Sequence, residues 1–267
     1  MTPASPPLGA LALAVADIAR AAGADLRRRF SQPRTIAHKG AIDLVTDADN
    51  ASEAIILERL GREFPNAALL SEESGASGGA PDGRLRFVID PLDGTTNYAH
   101  GLPHFSTTIA AEDSLGLLAG VVYDPLRDEM YAAARGAGAF CNGTRLHVTA
   151  VGHLGEAFLA TGFPYNIRTK PERVLSYFNT IVQKAFAVRR FGSAALDLAY
   201  VAQGRYDGYW EDNLKPWDMA AGVLLVQEAG GSVRDYAGNA VDLAKGEAVA
   251  GTRGLVEELL AITRTQA

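Results

Sequence analysis

A short apolar run that ends in two carboxylates constrains this chain more than any other segment. Residues 85–89 have the composition of a β-strand, and Asp90 and Asp93 follow at once, separated by Pro91 and Leu92. Pro91 fixes its own φ and has no backbone N–H, so we expect it to end the strand ladder. A turn after the strand would bring residues i and i+3 together, so that both carboxylates face one point.

The residues after this turn are suited to binding an anion. Gly94 lets the backbone approach a ligand closely, and Thr95 and Thr96 offer hydroxyls and N–H groups where a helix or turn begins. Acidic oxygens beside amide donors suit a hard cation that holds a phosphate. An ordinary turn after an edge strand would explain Asp-x-x-Asp-Gly alone equally well.

Acidic residues also follow two earlier predicted elements. Thr46 with Asp49 is typical of the box that begins a helix, and Glu72 follows a predicted strand over residues 67–70. Taken alone, Asp49 is explained by favourable placement at a helix N-terminus, and Glu72 by a solvated loop. Clustered strand-end carboxylates, however, would repel one another unless a cation or proton lay between them.

The composition is that of an ordinary globular protein. Of 267 residues, 48% are hydrophobic and 21% are charged. The net charge of -6 argues against a nucleic-acid-binding surface, and no apolar stretch is long enough to span a bilayer. An acidic site would repel a phosphate ester, so it is intelligible only with divalent cations that invert the local charge.

Two features indicate a cytoplasmic location. The apolar run from Leu8 to Ala16 has no Lys or Arg before it, and its pattern continues at helical spacing to Phe30. We therefore predict an amphipathic helix there and not a signal peptide. Cys141 is the only cysteine, which excludes an intrachain disulfide. It precedes the hairpin signal Asn142-Gly143, so we expect a buried thiol and not a nucleophile.

The rest of the chain alternates predicted strands and helices. Residues 75–83 are rich in Gly, Ser and Ala and are expected to form a mobile loop. The predicted helix over 171–184 should point Val174, Leu175, Phe178 and Ile181 inward. Ser193 either caps the next helix or lines a ligand edge. Further strands are expected at 42–45, 107–111, 117–123, 130–134, 157–161, 185–191, 206–210, 232–235 and 248–250, and further helices near 194–203, 216–227 and 252–262.

The string from Asp90 to Tyr98 resembles the signature of the inositol monophosphatase family, the magnesium-dependent, lithium-sensitive phosphatases. Four further blocks resemble the family in the same order: residues 42–46 with Asp49, residues 71–73, residues 192–195 and residues 215–218. Residues 192–200 and 211–231 look most like the bacterial branch. The resemblance implies a mixed α/β fold, a layered α/β/α/β/α sandwich, usually assembled as a homodimer. It also implies one domain over residues 1–267, with the metal-binding loops in about 1–150 and the substrate loop in about 151–267.

The metal ligands follow from the resemblance. Glu72, Asp90 and the carbonyl of Leu92 would hold a first Mg²⁺, and Asp90, Asp93 and Asp218 a second, while Glu72 with water would form a third, weaker site. Magnesium takes oxygen ligands and keeps several waters, so the chemistry agrees. Asp218 alone would also be explained as an acidic residue in the first turn of a helix that Pro216 begins.

The family's other site residues can be placed in the same way. The implied catalytic residues are Asp49, Glu72 and Thr95, and the implied substrate contacts are Asp93, Gly94, Thr95, Ala194 and Glu211. Thr95, paired with Asp49, would orient and deprotonate the attacking water. Lys39 and Glu73 match recurrent neighbours of the active site. Residues 161–165 depart from the animal enzymes, which affects the shape of the polyol pocket.

The resemblance therefore implies a Mg²⁺-dependent phosphate monoesterase acting on a small phosphorylated polyol or amino alcohol, with inositol monophosphate as the expected substrate. Histidinol phosphate and fructose 1,6-bisphosphate are alternatives on the same metal frame. Nucleotide phosphatases of the superfamily usually carry Lys-Glu where Thr96-Asn97 stands here, which argues against that activity. A function of another class, as a binding partner of the transcription machinery, stays open because some bacterial relatives have it.

Overall fold

The computed structural model of the chain describes residues 8–32, 36–38, 44–78 and 85–265. Lys39 and the predicted strand residues Ile42 and Asp43 lie outside these ranges. The described helices are α1 (Ala10–Phe30), α2 (Asp47–Glu63), α3 (Thr95–Ala99), α4 (Glu172–Val182), α5 (Ala194–Ala202), α6 (Pro216–Glu228) and α7 (Arg253–Thr265). No described helix has both the length and the apolar character needed to cross a membrane.

The strands form two larger sheets and one short antiparallel pair. The described strands are β1 (Ile36–His38), β2 (Leu44–Thr46), β3 (Ala68–Ser71), β4 (Gly75–Gly78), β5 (Arg86–Asp93), β6 (Ser106–Asp113), β7 (Gly116–Asp124), β8 (Glu129–Ala134), β9 (Gly138–Cys141), β10 (Thr144–Arg145), β11 (Phe158–Thr161), β12 (Ala187–Arg189), β13 (Gly208–Glu211), β14 (Ser232–Arg234) and β15 (Ala248–Gly251). The first sheet has the order β10-β9-β8-β7-β6-β5-β3-β4, and the second has the order β12-β11-β13-β15-β14. Strands β1 and β2 pair with each other.

Helices cover both faces of each large sheet, and successive side chains of a strand pack against opposite helix layers. In β5, Phe87 and Ile89 pack against α1 and α2, whereas Val88 packs against α5 and α6. In β13, Tyr209 faces the α5–α6 layer and Trp210 faces the layer of α4 and α7. The period of two along a strand therefore separates the cores on its two sides. The layers run helix, sheet, helix, sheet, helix, so the predicted α/β/α/β/α sandwich is confirmed.

Most of the predicted elements are present. The meander of β6, β7 and β8 is antiparallel throughout, and Asn142 and Gly143, both with positive φ, connect β9 to β10. This is the two-residue turn that suits a hairpin. The N-terminal helix buries Val15, Ile18 and Leu26, as the apolar stripe predicted.

Three local predictions were wrong. In the predicted loop over residues 75–83, Gly75–Gly78 forms the edge strand β4, because its backbone pairs with β3 without needing large side chains. Residues 79–83 lie outside the described ranges. Leu175 is 47% exposed, since α4 lies at the surface and buries only the side that carries Val174 and Ile181. The strand before Pro91 does not end there: β5 continues to Asp93 through an irregularity in its pairing with β6.

We expect Gly120→Val to destabilise the folded protein. Gly120 is buried where β7 meets α6, and a Cβ there would lie 3.0 Å from the backbone of Ala221. Overpacking of this kind costs about 1–3 kcal/mol, measurable as a lower free energy of unfolding in urea. Gly61→Val is the control, because Gly61 is an exposed residue of α2 and no atom lies within 4 Å of the added Cβ. Equal stability of the two variants would contradict the close packing of β7 on α6.

Candidate active site

One extra residue in β5 turns both strand-end carboxylates to the same side. Asp90 pairs with Thr108 and Asp93 with Ser106, so three steps along β5 match two steps along β6. Residues three apart in a regular strand point to opposite faces, and a bulge of one residue reverses this. Ser52 Oγ donates a hydrogen bond to the Pro91 carbonyl at 2.7 Å, which holds the bulge against α2.

Asp90 lies at the centre of a group of carboxylates. It is 2% exposed, its Oδ1 accepts the Leu92 N–H at 3.0 Å, and it shares a hydrogen bond with Glu72. Burial raises the pKa of Asp90 well above its usual range, and the charges of Glu72, Asp93 and Asp218 raise it further. The sequence-predicted acidic residues from β5, the end of β3 and α6 therefore lie within electrostatic reach of one another.

Asp93 connects the strand end to the start of α5. Its Oδ2 accepts hydrogen bonds from Ser193 Oγ, from the Ala195 N–H at 3.1 Å and from Ser106 Oγ at 3.3 Å. The Ala194 N–H contributes as well. Burial raises the pKa of Asp93 to about 6, although these donors stabilise the carboxylate. Ser193 makes no side-chain cap on α5, and its hydroxyl donates to Asp93 instead.

Asp218 lies in the first turn of α6, as predicted. Its Oδ2 accepts the Lys215 N–H at 2.7 Å, which closes the helix start. Burial raises the pKa of Asp218 well above its usual range, against the effect of this bond, and the charges of Asp93, Glu72 and Glu211 add to the rise. Its place at a helix start and its place in the carboxylate cluster are thus compatible.

The donors fit a hard divalent cation in their chemistry. The side chains are carboxylates, and their mutual repulsion would be relieved by positive charge. Within the described residues, however, no three His, Cys, Asp or Glu side chains already have the spacing of a metal-bound set. Three of the carboxylates accept hydrogen bonds from nearby donors: Asp90 from Leu92 N–H, Asp93 from Ser193 Oγ and Asp218 from Lys215 N–H.

Thr95 and Asp49 form the predicted pair. Thr95 Oγ1 lies 2.9 Å from Asp49 Oδ1 and 2.9 Å from the Leu92 carbonyl, and its single hydrogen can go to either. The other oxygen of Asp49 accepts the Thr46 N–H at 2.7 Å and Thr46 Oγ1 at 2.6 Å, which completes the capping box. Asp49 therefore both begins α2 and contacts Thr95. Burial raises its pKa, against these hydrogen bonds.

The turn between Asp93 and α3 requires glycine. Gly94 has φ +92°, and a Cβ there would lie 3.0 Å from the His104 carbonyl oxygen. Asn97 fixes the same turn, since its Nδ2 donates to the carbonyls of His104 and Phe191, both at 2.8 Å. Sequence analysis gave Asn97 no role of its own. Its signal in the sequence was its place in the string from Asp90 to Tyr98.

Glu211 lies at the end of β13, on the side of the cluster that Ala194 also borders. Its Oε2 accepts the Tyr209 hydroxyl, and burial raises its pKa to about 7. A Cβ at Gly162 would lie 2.0 Å from the same oxygen, so the carboxylate occupies the space that the glycine leaves. Away from the cluster, Cys141 is buried in β9 as predicted, and burial raises the pKa of its thiol to about 11.

Comparisons with known proteins identify one family. The model of the inositol monophosphatase family matches residues 10–267. A protein named Nus factor SuhB from Pseudomonas aeruginosa is 45% identical over 247 residues, which cover 91% of each chain. One named inositol-1-monophosphatase from Rhizobium meliloti is 42% identical over 240 residues, covering 89% of this chain and 90% of that protein. The crystal structure of extragenic suppressor protein SuhB from Bartonella henselae superposes with a TM-score of 0.92 at 40% identity, covering 97% of this chain and 100% of that one.

Proposed function

The chain belongs to the inositol monophosphatase family, and from that membership we propose that it hydrolyses a phosphate monoester with Mg²⁺, releasing inositol from inositol monophosphate. The observation that carries the proposal is the carboxylate cluster of Glu72, Asp90, Asp93 and Asp218. Such a cluster is costly to bury and becomes favourable when divalent cations neutralise it.

The protein's part in the metal chemistry is to present oxygen ligands. We assign Glu72, Asp90, the Leu92 carbonyl, Asp93 and Asp218 to this role. Bound Mg²⁺ would supply charge neutralisation for the phosphate and a more acidic water. The bulge in β5 lets Asp90 and Asp93 act from one side of the strand, which a regular strand would prevent.

Thr95 and Asp49 are assigned to proton transfer. The Thr95 oxygen accepts a hydrogen bond from the attacking water while its own hydrogen points to Asp49 Oδ1, 2.9 Å away. As the water oxygen bonds to phosphorus, its proton passes to Thr95 and the Thr95 proton passes to Asp49. The bond between phosphorus and the ester oxygen breaks, and the released alkoxide takes a proton from a solvent water to leave as the alcohol. The raised pKa of Asp49, caused by burial, makes that carboxylate a better base than an exposed one.

The remaining contacts divide between phosphate and alcohol. We assign the backbone N–H groups of Gly94 and Thr95 to the phosphate oxygens, because they begin α3 beside the cluster. Glu211 and the backbone of Ala194 are assigned to the hydroxyls of the leaving alcohol. Asn97 serves this arrangement indirectly by holding the turn against the segment before α5.

A second function is favoured by the names of the relatives. The P. aeruginosa protein with 45% identity is named a Nus factor, so we also consider binding to the transcription machinery for this chain. An affinity purification from the native host, with and without Mg²⁺, tests it. Recovery of RNA polymerase components in either condition would support this function, and their absence from both would count against it.

Phosphate release across a panel of phosphate esters is the direct test of the proposed function. The panel includes inositol 1-phosphate, histidinol phosphate, fructose 1,6-bisphosphate and p-nitrophenyl phosphate. We expect turnover that requires Mg²⁺, with inositol 1-phosphate preferred, and inhibition by millimolar Li⁺, which resembles Mg²⁺ in size but carries half its charge. Full activity in EDTA would rule out the metal-dependent reaction.

Thr95→Ala should reduce kcat by about 10²–10⁴-fold and change KM little, because the hydroxyl is assigned to the water and not to the ester. Steady-state kinetics measures both constants. Thr96→Ala is the matched control, since Thr96 is the exposed neighbour in the same short helix. A Thr95 variant with normal kcat and a raised KM would instead place this hydroxyl in substrate binding.

Asp218→Asn should leave the protein folded, with one Mg²⁺ site of near-native affinity and little turnover. The substitution removes charge from the ligand set of Asp90, Asp93 and Asp218 but leaves Glu72 and Leu92 intact. Calorimetric Mg²⁺ titration, run beside thermal melts and kinetics, measures all three properties. If Asp218 only closed the helix start, the loss would be about 0.3–1 kcal/mol of stability with unchanged kcat.

Asp242→Asn is the matched control for this variant. Asp242 is exposed and, like Asp218, accepts a backbone N–H, that of Ala244 at 2.9 Å. We expect the Asp242 variant to keep both metal affinity and kcat. Two intact Mg²⁺ sites with wild-type kcat in Asp218→Asn would refute the assignment.

A further inference from the structure

Three buried polar side chains lie on one side of α2, and each contacts a different part of the site. Asp49, Ser52 and Glu53 are 0%, 0% and 7% exposed, and their spacing of three and four residues places them on one face of the helix. Asp49 contacts Thr95, and Ser52 donates to the Pro91 carbonyl in the bulge of β5. Glu53 is a member of this group to which the proposed reaction gives no role.

Glu53 contacts the turn between β3 and β4. Its Oε1 accepts hydrogen bonds from Ser71 Oγ, from the Ser74 N–H at 3.1 Å and from Ser74 Oγ at 3.2 Å. Ser71 is the last residue of β3, and Ser74 directly precedes β4. The carboxylate of Glu53 therefore holds both ends of the short segment that contains Glu72.

The turn does not need this carboxylate in order to close. Ser71 pairs with Gly75 across the hairpin, and Gly75 has φ +73°, which suits the last position of a short hairpin loop. Ser74 is exposed, so water could satisfy its N–H. A buried carboxylate lowers stability unless hydrogen bonds compensate for the lost hydration. Closure of the hairpin alone therefore does not explain a buried Glu53.

Glu72 is the residue that these contacts restrain. Its N–H donates to the Ile89 carbonyl of β5 at 3.2 Å, and its side chain shares a hydrogen bond with Asp90. Two carboxylates this close repel each other when both are ionised, which would push the turn away from the end of β5. The contacts of Glu53 on both sides of Glu72 oppose that displacement.

We propose that Glu53 is a positioning residue that holds the Glu72 carboxylate beside Asp90 before a cation binds, and that it thereby sets the affinity of the first Mg²⁺ site. Glu53 acts through the two serines and contacts neither the ion nor the ester. Removal of a residue that orients a metal ligand in this way typically weakens metal binding by about 10–100-fold. The inference rests on one part of the proposed function, the assignment of Glu72, Asp90 and the Leu92 carbonyl to Mg²⁺.

Calorimetric Mg²⁺ titration of Glu53 variants is the direct test. The titrations are run in the wild type and in the Asp218→Asn background, where we expect the first site alone to remain. Glu53→Ala should weaken Mg²⁺ binding at that site by about 10–100-fold. Glu53→Gln keeps an oxygen that can accept from the serines, so its affinity should stay within about threefold of the reference protein.

Glu58→Ala is the matched control, because Glu58 is an exposed residue of the same helix. We expect it to leave Mg²⁺ affinity unchanged, and thermal melts show whether each variant is folded. A folded Glu53→Ala protein that binds Mg²⁺ as tightly as Glu58→Ala would overturn the proposal. Equal losses in Glu53→Ala and Glu53→Gln would also overturn it, since the charge of Glu53 and not its contacts would then matter.

Ser71→Ala tests the same contacts from the other side and replaces Glu53→Ala if that variant does not fold. It removes one of the three donors, so it should weaken Mg²⁺ binding by less than Glu53→Ala and add little when the two are combined. Ser77→Ala is its control, as Ser77 is an exposed serine of the same hairpin. Equal Mg²⁺ affinity in the Ser71 and Ser77 variants would overturn the role of the serines.

Amide hydrogen exchange in EDTA tests the restraint without any metal. The Ser74 N–H donates to Glu53, so it should lose protection in Glu53→Ala and keep it in Glu58→Ala. Unchanged exchange in both variants would overturn the positioning role. A wild type that binds Mg²⁺ and releases no phosphate from any ester overturns the proposed reaction and leaves this role intact. A wild type that binds no Mg²⁺ overturns both proposals.

Discussion

Repulsion among buried carboxylates is the interaction on which the rest of this structure depends. Asp90, 2% exposed, lies within the fields of Glu72, Asp93 and Asp218, and burial removes the water that would screen them. Asp90, Asp93 and Asp218 all have raised pKa values. The cluster therefore lowers the free energy of unfolding as pH rises through the ordinary range of Asp. The surrounding layers must supply stability that offsets this, and the apolar faces of both sheets do so.

The middle helix layer, formed by α5 and α6, fixes the positions of these carboxylates. The start of α5 donates to Asp93, and Thr108 Oγ1 of β6 donates to the Trp217 carbonyl at the start of α6 at 3.1 Å. Both helix starts are thereby fixed to the edge where β5 ends. Side chains from the first sheet and the middle layer then converge without relying on a flexible loop.

The sequence predicts the parts of this arrangement that depend on near neighbours. The stripe of α1, the capping box of Thr46 and Asp49, and the Asn142-Gly143 turn are all local patterns, and all are confirmed. The bulge at Pro91 was missed because pairing register depends on β6, which no pattern within residues 85–93 specifies. Strand β4 was missed for a similar reason, since its pairing with β3 uses the backbone and its sequence is typical of a loop.

The site residues differ in the same way. Asp90 and Asp93 were found from the strand-end pattern and Thr95 and Asp218 through the family resemblance, whereas Asn97 acts through contacts that only the fold reveals. This division has a chemical consequence. The carboxylates that we assign to a metal are fixed by backbone donors near strand and helix ends, so their positions do not depend on the alcohol that a phosphate ester carries. In the proposed function, discrimination among alcohols is assigned to the side of the site where the Glu211 carboxylate lies against Gly162.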